Sequence, residues 1–354
     1  MIYSKQRIPE RCNSKIISAL KSNAIFLNKE KIITTKENSD FANASVSIPF
    51  PKGLYKLIRK VNADIIISEG FFQFTPWALL YTLLHRKPLI IAYERTAHTE
   101  RNCPKWRLLY RKFVNLFVSG YIVNGSLTKE YLISQGVRPD VIFTGAMCAD
   151  SKELSKSVQN VGSGQKSYLK SKLNLTGKDI VYLYVGRLIE RKGVEYLLQA
   201  WKKHAHNFQN DHLLIVGSGP LLSKFTTNYG GIDSITFIGD VDYSEIHQYY
   251  AISDVFIIPT LEDNWSLVVP EAMACGLPIA CSIYNGCYPE LVHNGENGTL
   301  FDPLKEKSVT EALSYFHSVD IHAQGERSKE IESDYSPHKT ALNIRNAING
   351  ILTK

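Results

Sequence analysis

Cysteines are few and scattered in this chain. The six of them, Cys12, Cys103, Cys148, Cys275, Cys281 and Cys287, form no CxxC pair. They read as reduced thiols of a cytosolic protein, and no metal site is expected from them. No run of eighteen apolar residues occurs, so no transmembrane helix is expected. Met1–Leu20 is polar and basic with no apolar stretch and does not read as a signal peptide. Internal repeats and low-complexity tracts are absent. A complete GxGxxG fingerprint is missing too. GSGP, Gly217–Pro220, is a fragment of one and does not indicate a dinucleotide cofactor.

What is present is an ordinary soluble composition, 44% apolar and 21% charged, over 354 residues. That length exceeds one ordinary core, and the alternation of strand-like and helix-like segments predicts two α/β domains with parallel sheets. Charge is unevenly divided. Residues 1–150 hold 22 Lys+Arg against 11 Asp+Glu, a net of +11; the remainder holds 19 against 23, a net of −4. A basic half points to an anionic partner. No nucleic-acid-binding module is recognisable, so nucleic acid is not expected, and an anionic membrane surface fits better.

Residues 1–48 are the least legible; Ala24–Leu27 and Lys31–Ile33 suit strands. Ala63–Ser68 reads as a buried strand and Thr75–His85 as an apolar helix ended by Arg86-Lys87-Pro88. The next strand, from Pro88, runs into a loop holding Glu94, Arg95, His98, Thr99, Glu100 and Arg101. A loop at a strand's carboxyl end should face the cleft between the domains. Lys105–Phe117 reads as a helix with Trp106, Leu109, Phe113 and Leu116 on one face and Arg107, Arg111 and Lys112 elsewhere. The stripe suits core packing, with a membrane surface as the alternative. The expected organisation is a first domain over 1–150, a polar linker over 151–175, a second domain over 176–335, and a closing amphipathic helix over 336–354.

Chemistry concentrates in the second half. The run PTLEDNWSLVVPEAMACGLPIACS, Pro259–Ser282, follows the buried strand SDVFIIPT and leads through a polar loop into a helix. Open α/β sheets bind ligands at that place, and helix starts attract phosphate. Asp263 and Glu271 frame the helix start with seven residues between them, suited to accepting hydrogen bonds from sugar hydroxyls. Upstream, Asp179–Trp201 reads as strand, loop and helix, the loop carrying Gly186, Arg187, Arg191, Lys192 and Gly193. Two cations at a helix start suit a pyrophosphate; Arg191 reads as a solvated surface residue. Asp240-Val241-Asp242 has the DxD spacing of a metal site, but Asp242 more simply caps a helix over Tyr243–Tyr250.

These motifs resemble the signature of glycosyltransferase family 4, with high specificity over Asp179–Pro303 and more loosely elsewhere. The family shows Glu, seven residues and Glu, followed by AMACGLP; here Asp263 takes the first position, with Glu262 just before it, as in an EDN variant. The resemblance implies a GT-B fold, two Rossmann-like domains facing across a cleft, and retaining transfer from a nucleotide sugar, most simply UDP-linked. Arg187 and Lys192 would stabilise the leaving diphosphate, Glu271 would hold the ribose, and Asp263 or Glu262 the donor sugar. Gly186, Ile238 and Val241 would face the nucleotide, and Asn264, Trp265, Ser266, Leu267 and Val268 would cradle phosphate and sugar. His98 and Glu94 would stand beside the reacting sugar. The acceptor would be a glycan or lipid-linked glycan, as in O-antigen, capsule or exopolysaccharide assembly, at the cytoplasmic side of a membrane; neither cofactor nor metal is implied. The Gly-rich loop that family members carry after their first strand is not recognisable here. A GT-B nucleotide-sugar epimerase and a non-catalytic nucleotide-binding partner remain as rival readings.

Overall fold

The computed structural model describes residues 2–4, 25–27, 30–35, 41–42 and 46–353. The stretch where a Gly-rich loop would follow the first strand lies outside the described residues. Strand β1 (Ile2–Ser4) pairs in parallel with β2 (Ile25–Leu27), and β3 (Glu30–Thr35) forms an antiparallel pair with β4 (Val46–Pro51). The segments read as strands around 24–27 and 31–33 thus fall on β2 and β3.

Four parallel strands form the first main sheet in the order β5 (Ile66–Glu69), β6 (Leu89–Tyr93), β7 (Gly120–Val123) and β8 (Ile142–Phe143). Among the described residues the order runs in one direction. Right-handed crossovers therefore put the helices Thr75–His85, Lys105–Asn115 and Ser126–Ser134 on one face of this sheet. The other face is covered from far away in sequence. Helix Pro337–Leu352 packs Ala347 and Ile351 against Ile90 and Ile122.

Helix Lys105–Asn115 sits the other way round from the core-packing expectation. Leu109 and Leu116 are 69% and 77% exposed, whereas Arg111 is only 5% exposed and Val114 is fully buried. The reason lies beneath the helix. Arg111 NH1 donates to Glu100 Oε2 at 2.6 Å, and its guanidinium lies over the rings of Phe71, Phe72 and Tyr93. A buried carboxylate needs a paired cation, so the cationic face turns inward and the apolar stripe outward.

The second sheet has six parallel strands: β9 (Val181–Val185), β10 (His212–Val216), β11 (Ile235–Gly239), β12 (Val255–Ile258), β13 (Ile279–Ser282) and β14 (Gly298–Phe301). Their order is β11-β10-β9-β12-β13-β14. Successive β9 residues face opposite layers: Leu183 and Val185 pack with Phe256 and Val269, Tyr182 and Tyr184 with Leu213 and Trp201. Burial on both faces explains the unbroken apolar runs. Residues 151–175, read from their polarity as a linker merging into a short helix, form two helices, Lys152–Gln159 and Ser163–Lys172. Leu154 and Val158, four apart on one helical face, join the second core. Among the described residues, no helix is long and apolar enough to cross a membrane.

Candidate active site

The second sheet reverses its order between β9 and β12, and ligands bind at the carboxyl ends of strands flanking such a switch. Two loops meet there: Gly186–Gly193 after β9 and Pro259–Leu267 after β12. Gly193 makes their contact feasible. It has φ of +66°, and a Cβ there would stand 2.1 Å from the Pro259 carbonyl oxygen. Gly286 does the same from the other side, where a Cβ would stand 2.1 Å from the Asn264 oxygen.

That packing brings Lys192 Nζ to 2.5 Å from Asp263 Oδ2. The Ser266 hydroxyl donates to the same oxygen at 2.7 Å, and the Trp265 backbone N–H donates to Oδ1 at 3.3 Å. Burial opposes ionisation of Asp263, but Lys192, the Ser266 hydroxyl and Arg191 together outweigh it and hold the carboxyl below its usual range. Arg191, expected on the solvated surface, belongs to this cluster instead. Its NH1 donates to the Glu262 carbonyl at 3.1 Å and lies 3.7 Å from Asp263 Oδ2. The Arg191 carbonyl accepts from Leu261 N–H and the Thr260 hydroxyl, which ties it into the β12 loop. Gly193 was the available signal, because a tight turn there draws its preceding residues inward.

Glu262 is turned elsewhere. Arg101 NH1 donates to its Oε2 at 2.6 Å across the cleft, and the Ala42 N–H donates to Oε1. Arg187 lies at the mouth of the β9 loop, exposed, and among the described residues its guanidinium has no ion-pair partner. Gly186, at φ +155°, closes the strand beside the Tyr184 hydroxyl. Glu271 lies in the first turn of helix Val268–Ala274 and accepts from the Tyr243 hydroxyl at 3.1 Å. Burial raises its carboxyl above the ordinary range. Ile238, Val241 and Val268 are partly buried against the apolar core of the second domain, to which Trp265 belongs, while Leu267 remains exposed. Asp242 accepts from Ser244 N–H at 2.9 Å, but it caps a turn: the helix begins at His247 rather than Tyr243.

The first domain supplies the opposite wall. Glu94, Arg95, Thr99, Arg191, Asp263 and Asn264 line one pocket, together with Phe41, Ala42, Glu262 and Trp265. Asn264 Nδ2 donates to Glu94 Oε1 at 3.3 Å. Glu94 opens onto the cleft, yet loss of water between the walls raises its carboxyl. His98 does not line this pocket. Its Nε2 lies 2.8 Å from the Leu261 carbonyl, so Nε2 carries the proton, and its ring stacks on Tyr284 at 4.5 Å. Burial lowers its pKa. Glu290 makes a further bridge between the domains: its carboxylate accepts from Ser126 N–H at the start of helix Ser126–Ser134, where a negative charge is favoured.

A second titratable cluster lies behind the second sheet. Asp211 Oδ2 is 2.7 Å from His204 Nε2 and 2.8 Å from His317 Nε2. Two ligands of a tetrahedral zinc ion at ~2.1 Å stand about 3.4 Å apart, so these spacings are those of hydrogen bonds.

The segment that builds this cluster also carries likeness to known proteins. Residues 165–329 match the family described as glycosyl transferases group 1. Among curated proteins, the chain is 29% identical over 179 residues to the alpha-monoglucosyldiacylglycerol synthase of Acholeplasma laidlawii, covering 50% of this chain and 44% of that protein. It is 30% identical over 241 residues to spore coat protein SA of Bacillus subtilis, covering 64% and 62%. The chain thus spans less than two thirds of either relative. Among solved structures, HepE of Anabaena in complex with UDP superposes with a TM-score of 0.69 at 18% identity, covering 83% of this chain and 81% of that one. A glycosyltransferase from Rickettsia africae gives 0.72 at 16%, covering 96% and 87%. The fold is GT-B, and the matches support a transferase.

Proposed function

We propose that the chain is a retaining glycosyltransferase of family 4 that moves a hexosyl or N-acetylhexosaminyl group from a UDP-linked sugar to a lipid-linked surface-glycan precursor. The observation that carries this reading is the Lys192–Asp263 pair at the switch point, flanked by Arg191 and faced by Glu94. The matched family segment includes Lys192, Arg191 and Asp263, and HepE, which shares the fold, was solved as a complex with UDP. UDP and UDP-glucose are therefore the first donors to test.

In this reading, Lys192, Arg191 and the exposed Arg187 neutralise the diphosphate, so no metal is required. Glu271 exchanges its Tyr243 partner for the ribose hydroxyls. Asp263, held ionised by Lys192, accepts from hydroxyls of the donor sugar. The bond from the anomeric carbon to the phosphate oxygen breaks, and the acceptor oxygen bonds to that carbon on the same face. The acceptor proton passes to the leaving phosphate. Glu94, on the opposite wall, orients the acceptor hydroxyl.

The test is incubation with a panel of sugar nucleotides, with and without a lipid-linked acceptor, and product analysis by mass spectrometry. Transfer that needs the acceptor supports the proposal. A new free sugar nucleotide without acceptor would establish the epimerase reading, and binding without any turnover the non-catalytic one.

A further inference from the structure

Helix Thr75–His85 presents Trp77, Leu80 and Leu84 to solvent, and its neighbour Lys105–Asn115 presents Trp106, Leu109 and Phe113; Leu116 and Phe117 continue the second stripe. Positions 77, 80 and 84, and positions 106, 109, 113 and 116, each follow one face of a helix. Monotonic sheet order sets both helices on the same side of the first sheet, so the stripes share one outer surface. Soluble proteins rarely expose apolar groups in such continuity without a partner.

The charges around the stripes indicate which partner. Segments 75–87 and 105–117 contain no Asp or Glu. Arg86, Lys105 and Lys112 are exposed at the edges, while Arg107 and Arg111 point inward. Outward tryptophans and leucines with a cationic rim, on two helices that carry no acids of their own, match an anionic lipid–water interface, where aromatic rings settle at headgroup depth and cations meet the phosphates.

Arg111 also connects this surface to the pocket. It pairs with the fully buried Glu100, whose other oxygen lies 3.3 Å from Arg95 Nε, and Arg95 lines the pocket. From this geometry we infer that the paired outer faces of helices Thr75–His85 and Lys105–Asn115 dock onto an anionic bilayer and bring the cleft to a lipid-anchored acceptor. The inference rests on the proposed function for its purpose, but its test does not depend on turnover.

The experiment is flotation of the full chain with phosphatidylcholine vesicles, with and without phosphatidylglycerol. It compares wild type with the double variant Leu109→Glu, Phe113→Glu and with Lys105→Gln, Lys112→Gln. Thermal unfolding and UDP binding report whether each variant is folded. Expected is salt-sensitive flotation of wild type with the anionic vesicles only, reduced about tenfold or more by the glutamates and less by the glutamines. UDP affinity should be unchanged throughout. Failure of wild type to float, or equal flotation of the glutamate variant, overturns the inference. Dimeric wild type that becomes monomeric with the glutamates and never floats would assign the face to a second copy and overturn it too. If flotation holds but UDP does not bind, the docking face stands and the donor reading falls.

Discussion

Arg101 and Glu262 meet across the cleft, one from each domain, with 2.6 Å between nitrogen and carboxylate oxygen. Glu262 is nearly buried, and Arg101 remains partly open to solvent. Two adjacent acids thus have different partners: the Glu262 carboxylate meets a cation of the first domain and Asp263 meets Lys192, while both line the pocket.

Glu262→Gln should therefore act on closure. We expect a loss of about tenfold in kcat/KM, equivalent to about 1.4 kcal/mol, with UDP affinity within about twofold of wild type. Steady-state kinetics and calorimetric titration check both. A drop in UDP affinity as large as the kinetic loss would make Glu262 a donor ligand.

Asp263→Asn removes the counter-ion of a half-buried lysine and the acceptor for sugar hydroxyls together. Turnover should fall by about a hundredfold or more, and stability by about 1–3 kcal/mol. Urea unfolding separates the two effects: loss of activity under conditions where the variant is folded supports the assigned role.

Glu271→Ala should weaken UDP binding by roughly ten- to hundredfold, because hydrogen bonds to a charged group contribute about 1.5–3 kcal/mol. Burial raises this carboxyl. Acidification should thus neutralise it, and weaken donor binding, above the ordinary carboxylate range near 4.3. Titrations between about pH 7.5 and 5 should show that loss in wild type and not in the variant.

Activity should persist in EDTA. Lys192→Ala and Arg187→Ala should lower turnover more than they weaken UDP binding, since charge grows on the diphosphate as the bond breaks. Loss of activity in EDTA that Mg²⁺ or Mn²⁺ restores, and that Asp240→Ala with Asp242→Ala abolishes, would return the DxD segment to metal binding.

His212 predicts an acid-sensitive fold. The side chain is buried, with Nε2 2.8 Å from the Thr236 hydroxyl, and burial lowers its pKa to about 4. The unfolded chain takes up a proton near 6.5, before the native state does. Stability present above 6.5 is then lost as pH falls towards 4, by up to about 3 kcal/mol. His212→Gln keeps a hydrogen-bonding group and should flatten that slope in urea unfolding measured across the range. An unchanged slope would assign the acid sensitivity to other groups.

Sequence alone determined the local units. Unbroken apolar runs such as Val181–Val185 and Val255–Ile258 specify strands buried on both faces, and Gly193 and Gly276 mark the turns beside them. The pattern of runs and turns therefore placed Lys192 and Asp263 in loops after strands and Glu271 in the first turn of the helix that follows. Tertiary structure decided what depends on distant partners. Arg191 turned inward because Gly193 presses its loop onto Pro259. Glu262 spends its carboxylate on a domain bridge because Arg101, 161 positions earlier, reaches it across the cleft. Leu154 and Val158 drew a polar stretch into the second core. The helix Lys105–Asn115 shows the limit most directly. Its periodicity fixed which residues share a face but carried no sign saying which face points in. The buried Glu100 supplied that sign, because an unpaired carboxylate in the core costs more than apolar side chains left at the surface.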